Sequence, residues 1–218
     1  PIQIGFNRRY DNHHGALKKA LDAGEIGELA LMVISSRDPG PATREYHASS
    51  GGLFRDMAIH DFDLARFILG GDEPVEVSAT GSVKVEPFFD EIGDIDTAML
   101  WMRTESGVLC HVNNSRRAVY GYDQRLEVFG SKGMLISNNL RATSVERFTK
   151  DAAGMRDPFV DFFLERYGES YVLELNDFID AVEGGHEPSV TFEDGRRALL
   201  LADAAARSLA SGRPVKVA

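Results

Sequence analysis

Five short runs of apolar and β-branched residues constrain this chain more than any other feature: Leu29 to Ser35, Val75-Val77-Ala79, Thr97 to Met102, Val108 to Val112 and Leu126-Val128. Each is short, and turn residues such as Glu105-Ser106-Gly107 and Gly130-Ser131-Lys132-Gly133 bound them, so they read as strands. Ser144 to Phe148 is a further candidate. At the start, Ile2, Ile4 and Phe6 alternate with Gln3 and Gly5; this reads as a half-buried strand with Arg8 at its end. Consecutive strands joined by tight turns make an antiparallel meander.

Helical periodicity takes over elsewhere. Asp11 or Asn12 can cap a helix whose apolar face carries Leu17, Ala20 and Leu21. Leu53 to Leu69 reads as one helix, with Ala58, Phe62, Ala65 and Leu69 on one side and Gly70-Gly71 closing it. Two more helices are expected over Tyr171 to Val182 and Phe192 to Leu209, stopped by Gly184-Gly185 and Gly212. Between Arg37 and Ser50, Asp38-Pro39-Gly40-Pro41 opens a loop longer than a connection requires. The expected class is α+β, an open, mainly antiparallel sheet with helices on one face. The other face would stay apolar and bare, so association through it into a homo-oligomer is expected.

A formal charge of −10 with no dense Lys/Arg stripe disfavours nucleic acid as a partner. No apolar run is long enough to cross a membrane, and no signal peptide opens the chain. The single cysteine, Cys110, sits in the apolar stretch Val108-Leu109-Cys110-His111-Val112 and reads as a core residue in a reducing cytoplasm. The chain opens on Pro1 and leads at once into a strand-like run, which reads as a fragment of a longer protein.

The most chemically informative segment is Gly51-Gly52-Leu53-Phe54-Arg55-Asp56-Met57-Ala58-Ile59-His60-Asp61-Phe62-Asp63. On one helix, Asp56 and His60 would share a face. A carboxylate beside an imidazole raises its pKa towards neutrality and makes it a usable general base. The competing reading is an acidic residue favoured by the helix dipole and a histidine that is simply satisfied; Asp61 and Asp63 read as solvated or capping charges. A divalent metal held by Asp56, His60 and His111 is a third possibility, but no motif fixes its geometry. Arg8 could hydrogen-bond a polyol through its planar fork or lie in an ion pair. Tyr120 and Tyr122 flank Gly121, and Tyr167 and Tyr171 precede Glu174 and Asp177; each can offer a ring face and a hydroxyl to a sugar-like ring or fill the core. No Gly-x-Gly-x-x-Gly or Walker-type loop occurs, so these residues have no ordinary cradle for a dinucleotide pyrophosphate.

Taken together, Ile4-Gly5-Phe6-Asn7-Arg8-Arg9-Tyr10, Gly51-Gly52-Leu53-Phe54 with Asp56-Met57-Ala58-Ile59-His60-Asp61, Tyr120-Gly121-Tyr122-Asp123 through Val128-Phe129-Gly130, and Glu174-Leu175-Asn176-Asp177-Phe178 resemble the C-terminal part of the glucose-fructose oxidoreductase/inositol dehydrogenase (Gfo/Idh/MocA) family, and within it the inositol 2-dehydrogenases. The resemblance runs from about residue 1 to the end. It implies a substrate-binding and oligomerisation domain over residues 1–218, whose N-terminal Rossmann partner, with its catalytic lysine, is absent from this chain. It implies oxidation of a ring hydroxyl of a cyclitol or sugar, myo-inositol above all, with NAD as the hydride acceptor, and no activity from these residues alone. By the same resemblance His60 is the proton acceptor and Asp56 orients it. Arg8, Tyr120 or Tyr122, and Tyr171 contact the ring, with Asn7 and Asp38 beside them, and no metal is required. Dimers or tetramers are implied. Two rivals are a sugar-binding or oligomerisation module without catalysis and a metal-dependent sugar isomerase or hydrolase.

Overall fold

A computed structural model describes residues 1–217. After an irregular lead and a 3-10 turn at Asn7–Tyr10 come helix α1 (Asn12–Asp22), strand β1 (Leu29–Arg37), helices α2 (Arg44–Ser49), α3 (Leu53–Asp56) and α4 (Ala58–Leu69), strand β2 (Pro74–Ser82) and the short helix α5 (Phe88–Glu91). Strands β3 (Thr97–Thr104), β4 (Leu109–Ser115), β5 (Asp123–Gly130) and β6 (Gly133–Ser137) follow, then a two-residue pair β7 (Glu146–Arg147) and β8 (Met155–Arg156). Helices α6 (Phe163–Gly184) and α7 (Phe192–Ser211) and strand β9 (Val215–Lys216) complete the chain.

The main sheet has seven strands in the order β6-β5-β1-β4-β3-β2-β9. It is antiparallel except where β1 lies parallel to β4. The expected α+β class and the open, mainly antiparallel sheet therefore hold, but the simple meander does not. Strand β1 is inserted between β4 and β5, with Val33 paired to His111 on one side and Glu127 on the other. A strand contributed from early in the chain fills that gap because its apolar inner face, Met32 and Ile34, is fully buried there.

Alternation divides the sheet. Met32, Ile34, Val77, Ala79, Leu100, Met102, Cys110, Val112, Leu126 and Val128 join the core beneath α4 and α7, where Phe62, Ala65, Leu201 and Ala205 are buried with them. A fully buried side chain such as Phe62 stabilises the fold by about 1.5–3 kcal/mol. On the opposite side of the strands Leu31, Met99, Trp101, Leu109, Phe129, Met134 and Ile136 are all exposed.

Four sequence expectations need correction. Ile2–Phe6 forms no strand; Ile4 N donates to Val190 O, Gln3 Nε2 to Glu174 O, and Phe6 N turns back to Ile4 O. Alternation shows that a segment can be extended, but a strand also needs a partner in register. Arg8 consequently sits in the 3-10 turn rather than at a strand end. The 37–50 loop contains α2, capped by Thr43 Oγ1 on Tyr46 N. The helix expected over 53–69 breaks at Met57 (φ −106°, ψ −59°) into α3 and α4. Asp94 Oδ1 holds the start of α3 by accepting from Leu53 N at 3.1 Å. The strand expected at Ser144 to Phe148 shrinks to the two residues of β7.

Candidate functional site

The principal cavity, about 520 Å³, opens where the 3-10 turn, the β1–α2 loop, the α3/α4 break and the start of α6 converge. Asn7 and Arg8 come from the turn, Asp38 from the end of β1, and Tyr46 and His47 from α2. Asp56, Met57 and His60 flank the helix break, Arg116 follows β4, Tyr122 precedes β5, and Phe162, Tyr167 and Tyr171 come from α6 and its approach. Polar groups converging on a partly aromatic cleft are the usual make-up of a small-molecule site.

The floor is an ion pair. Arg8 donates to Asp61 through Nη1 and to Ser36 Oγ through Nη2 at 3.1 Å. Asp61 also accepts from Asn114 Nδ2 at 2.7 Å. Burial pushes the Asp61 carboxyl upward, opposed by Arg8, Asn114 and Ser36. Asp61 is thus wholly buried, and the sequence reading of it as a solvated charge is wrong. So is that of Asp63, which is 1% exposed and bonded by Arg9 at 2.6 and 2.9 Å. The residue type misled: in both cases an arginine from the 3-10 turn supplies the compensating charge that a buried carboxylate needs.

Asp56 and His60 both reach the cavity, one on either side of the helix break. The hydrogen bonds of the Asp56 carboxylate go to other partners. Asp56 Oδ1 accepts from the Tyr46 hydroxyl at 2.6 Å, and Oδ2 accepts from Arg116 Nη2 at 2.6 Å. The His60 ring stands edge-on to Phe6, 5.8 Å between centroids. Burial, reinforced by the Arg8 charge and opposed by Asp56, takes its pKa down to about 4. The direction is opposite to the rise expected from a neighbouring carboxylate, because burial and Arg8 outweigh Asp56. The imidazole is accordingly neutral at physiological pH.

Asp38 is the other carboxyl in the cleft. Burial pushes it up to about 6 against the pull of Arg116, 3.5 Å away, and Arg8. Tyr122, 6% exposed, stands edge-on to Phe162 and Tyr167, and burial raises its phenol well above the usual value. Tyr171 is partly exposed at the rim, and burial raises its phenol too. Tyr120 does not line the cavity. Its hydroxyl donates to Asp123 at 2.7 Å and accepts from Arg37 at 2.8 Å. The positive φ of Gly121, +113°, lies between the two tyrosines, which take different environments. His111 lies on β4 paired with Val33 and Trp101, away from Asp56 and His60. Among the described residues no three His, Cys, Asp or Glu side chains gather closely enough to hold a metal.

Sequence reasoning missed Arg116, Tyr46 and His47. A signal for Arg116 existed: Cys110, Val112 and Asn114 face inward at every second position, and continuing that alternation places Arg116 on the same side. Tyr46 and His47 lie on the short helix that was expected to be a loop.

Residues 14–136 match the family described as the GFO/IDH/MocA C-terminal domain. The chain belongs to that family. This GFO/IDH/MocA domain is 48% identical over 217 residues to inositol 2-dehydrogenase of Rhizobium meliloti, covering 100% of the chain and 65% of that relative. The structure of a myo-inositol dehydrogenase from Corynebacterium glutamicum superposes with a TM-score of 0.95 at 44% identity, over 99% of this chain and 64% of the other. A scyllo-inositol dehydrogenase from Lactobacillus casei, solved with bound NAD(H) and scyllo-inositol, superposes at 0.89 with 29% identity, over 99% and 64%. The chain thus spans just under two thirds of the length of the curated relatives it matches.

Proposed function

We propose that this GFO/IDH/MocA domain is the substrate-binding part of an oxidoreductase that oxidises a ring hydroxyl of a cyclitol, myo-inositol in the first instance, using NAD. The observation that carries the reading is His60, an uncharged imidazole facing a cleft that also holds the carboxyls of Asp38 and Asp56. A polyol ring donates hydroxyls to the carboxylates and accepts from the Asn7 amide and the tyrosine hydroxyls. With Arg8 neutralised by Asp61 and Arg116 shared between Asp38 and Asp56, the cleft has no spare positive charge. It therefore favours a neutral polyol over a sugar acid.

His60 accepts the hydroxyl proton of the substrate as the hydride leaves the same carbon, so proton and electron pair depart together. The cofactor supplies hydride acceptance. None of the described residues forms a glycine-rich pyrophosphate cradle, so every role assigned here concerns binding, orientation and the proton. In this reading residues 1–218 are the substrate domain, and a Rossmann domain that binds the dinucleotide lies outside them; the 65% coverage of the inositol 2-dehydrogenase relative supports that division. A cytoplasmic setting belongs to the same reading, supported by the buried, unpaired Cys110. Among the described residues no helix is long and apolar enough to cross a membrane.

The bare sheet face is assigned to a second copy of the chain. Its exposed Leu31, Met99, Trp101, Leu109, Phe129 and Ile136 form an apolar layer that a two-fold axis makes self-complementary. Sedimentation of the full-length protein should give a dimer or a multiple of one, and Trp101→Lys should shift it to monomer. A monomeric wild type would end this assignment.

The catalytic reading is tested by NAD-dependent oxidation of myo-inositol by the full-length protein and its His60→Ala variant. A loss in kcat of about 10²–10⁴-fold is expected for removal of a general base. An unchanged kcat and pH profile would remove His60 from the mechanism. A protein that binds inositol without oxidising it would instead be a sugar-binding module.

A further inference from the structure

One wall of the cavity comes from a short stretch of chain that the function reading leaves without a role of its own: Gly40, Pro41, Ala42, Tyr46 and His47, in the β1–α2 loop and α2. This stretch is held along its length. At its start Thr43 Oγ1 accepts from Tyr46 N at 3.3 Å. At its exit Gly51 and Gly52 have φ of +92° and +87°, and a Cβ on Gly52 would come within 3.1 Å of Asp94 Oδ1, so the turn into α3 needs glycine. Between them the buried His47 ring packs on Phe89 of α5, 4.8 Å between centroids. Among the described residues neither His47 ring nitrogen has a hydrogen-bond partner; the imidazole serves there as a packing surface.

Successive side chains leave a helix about 100° apart, so anchoring His47 on α5 turns Tyr46 elsewhere. Its hydroxyl donates to Asp56 Oδ1 at 2.6 Å. A phenol has one proton to give, and Tyr46 has committed it. The bond to Asp56, and after it burial, raises the phenol above its ordinary value and keeps it protonated. The Tyr46 oxygen is thus left as an acceptor. Among the tyrosines of the cavity, Tyr122 and Tyr167 are buried, whereas Tyr46 is 50% exposed and has both its oxygen and its ring face available to a ligand.

We propose that Tyr46 is a substrate-contacting residue that selects for a ring hydroxyl other than the one oxidised: its oxygen accepts from that hydroxyl, and its ring covers the adjoining C–H edge of the polyol. The proposal rests on the reading of the cavity as a polyol site with His60 as proton acceptor. A ring position that bears a hydroxyl can supply the proton the Tyr46 oxygen lacks. A position that bears a carbonyl, an ether or hydrogen cannot, and leaves that acceptor unmatched. A site built around such a bond rejects the analogue that lacks it. The contact is the same in ground and transition states, so it is read in KM rather than in kcat.

The test is the kinetics of the full-length protein and its Tyr46→Phe variant with myo-inositol and with deoxy-inositols that each lack one hydroxyl but keep the one oxidised. With myo-inositol, Tyr46→Phe is expected to raise KM about tenfold, the worth of one good hydrogen bond, and to change kcat by less than about threefold, because Asp56 keeps its bond to Arg116. With one deoxy compound the wild-type KM should already be raised and Tyr46→Phe should add nothing; with the others the full penalty should remain. A role exercised only through Asp56 would instead lower kcat, and equally for every compound. An unchanged KM in Tyr46→Phe overturns the proposal, as does a penalty common to all the deoxy compounds or a loss confined to kcat. Phenylalanine keeps the half-exposed ring, so the variant retains the packing of α2. The function reading fails separately: if the wild type oxidises no inositol, calorimetric binding of the same compounds to the protein holding NADH decides on Tyr46 by the same pattern, and a protein that binds no polyol overturns both.

Discussion

Arg8 and Asp61 form an ion pair whose side chains are 7% and 0% exposed. A pair this deep is costly to assemble, yet costlier to halve, because the surviving charge keeps its desolvation penalty and loses its partner. Asp61→Ala is therefore expected to lower stability by about 3–5 kcal/mol, measured by urea unfolding. Asp61→Asn should cost less, since the amide oxygen can still accept from Asn114. A loss below about 1 kcal/mol for the alanine variant would mean that the Arg8 charge is compensated elsewhere.

Buried His14 and partly buried His60 give the fold an acid sensitivity of defined sign. Burial takes His14 down to about 3 and His60 to about 4, both below the unfolded value near 6.5. Between those values and pH 6.5 the unfolded chain binds more protons at each site than the folded one. Stability should therefore fall as pH drops below about 6.5, at up to about 1.4 kcal/mol per pH unit for each histidine. Asp38, raised to about 6, acts in the opposite sense, because its protonated form is favoured in the fold and that contribution fades as pH rises through 6. The histidine contribution is thus read as a difference: His14→Gln should lose part of the fall in stability between pH 6.5 and 4 that the wild type shows. Parallel pH curves for the two proteins would contradict the assignment.

Cys110 sits on the inner face of β4 at 1% exposure, and burial pushes its thiol up to about 12. Thiolate is the reactive species, so the native protein should resist thiol reagents at pH 8 and react at the rate of unfolding. Fast labelling of the folded chain would show that β4 opens locally.

The strand runs 29–35, 97–102 and 108–112 and the helix ending at Gly212 were legible because burial on one face writes a period into the sequence. Strand order was not. Nothing local in Leu29–Arg37 says that it enters between β4 and β5, since that choice is made by complementarity with distant residues. The site was legible at Asp56, His60, Asn7, Arg8, Asp38, Tyr122 and Tyr171, all of which line one cavity. Their relation was harder to read. A four-residue spacing promises a shared face only on an unbroken helix, and here the helix is interrupted at Met57, between the two residues. Asp61 and Asp63 were misjudged because a sequence shows a charge without its partner, and here the partners, Arg8 and Arg9, lie more than fifty residues earlier. Tyr120 was misplaced because the turn at Gly121 sends neighbouring aromatics to different surroundings.

The most direct test of the account is a crystal structure of the full-length protein with NAD and myo-inositol. The account predicts the ring in the cavity bounded by Arg8, Asp38, Asp56 and Tyr122, with one hydroxyl oxygen about 2.6–3.2 Å from a ring nitrogen of His60, the reach a general base requires. Inositol bound elsewhere, or bound in the cavity with every hydroxyl beyond reach of His60, would contradict it.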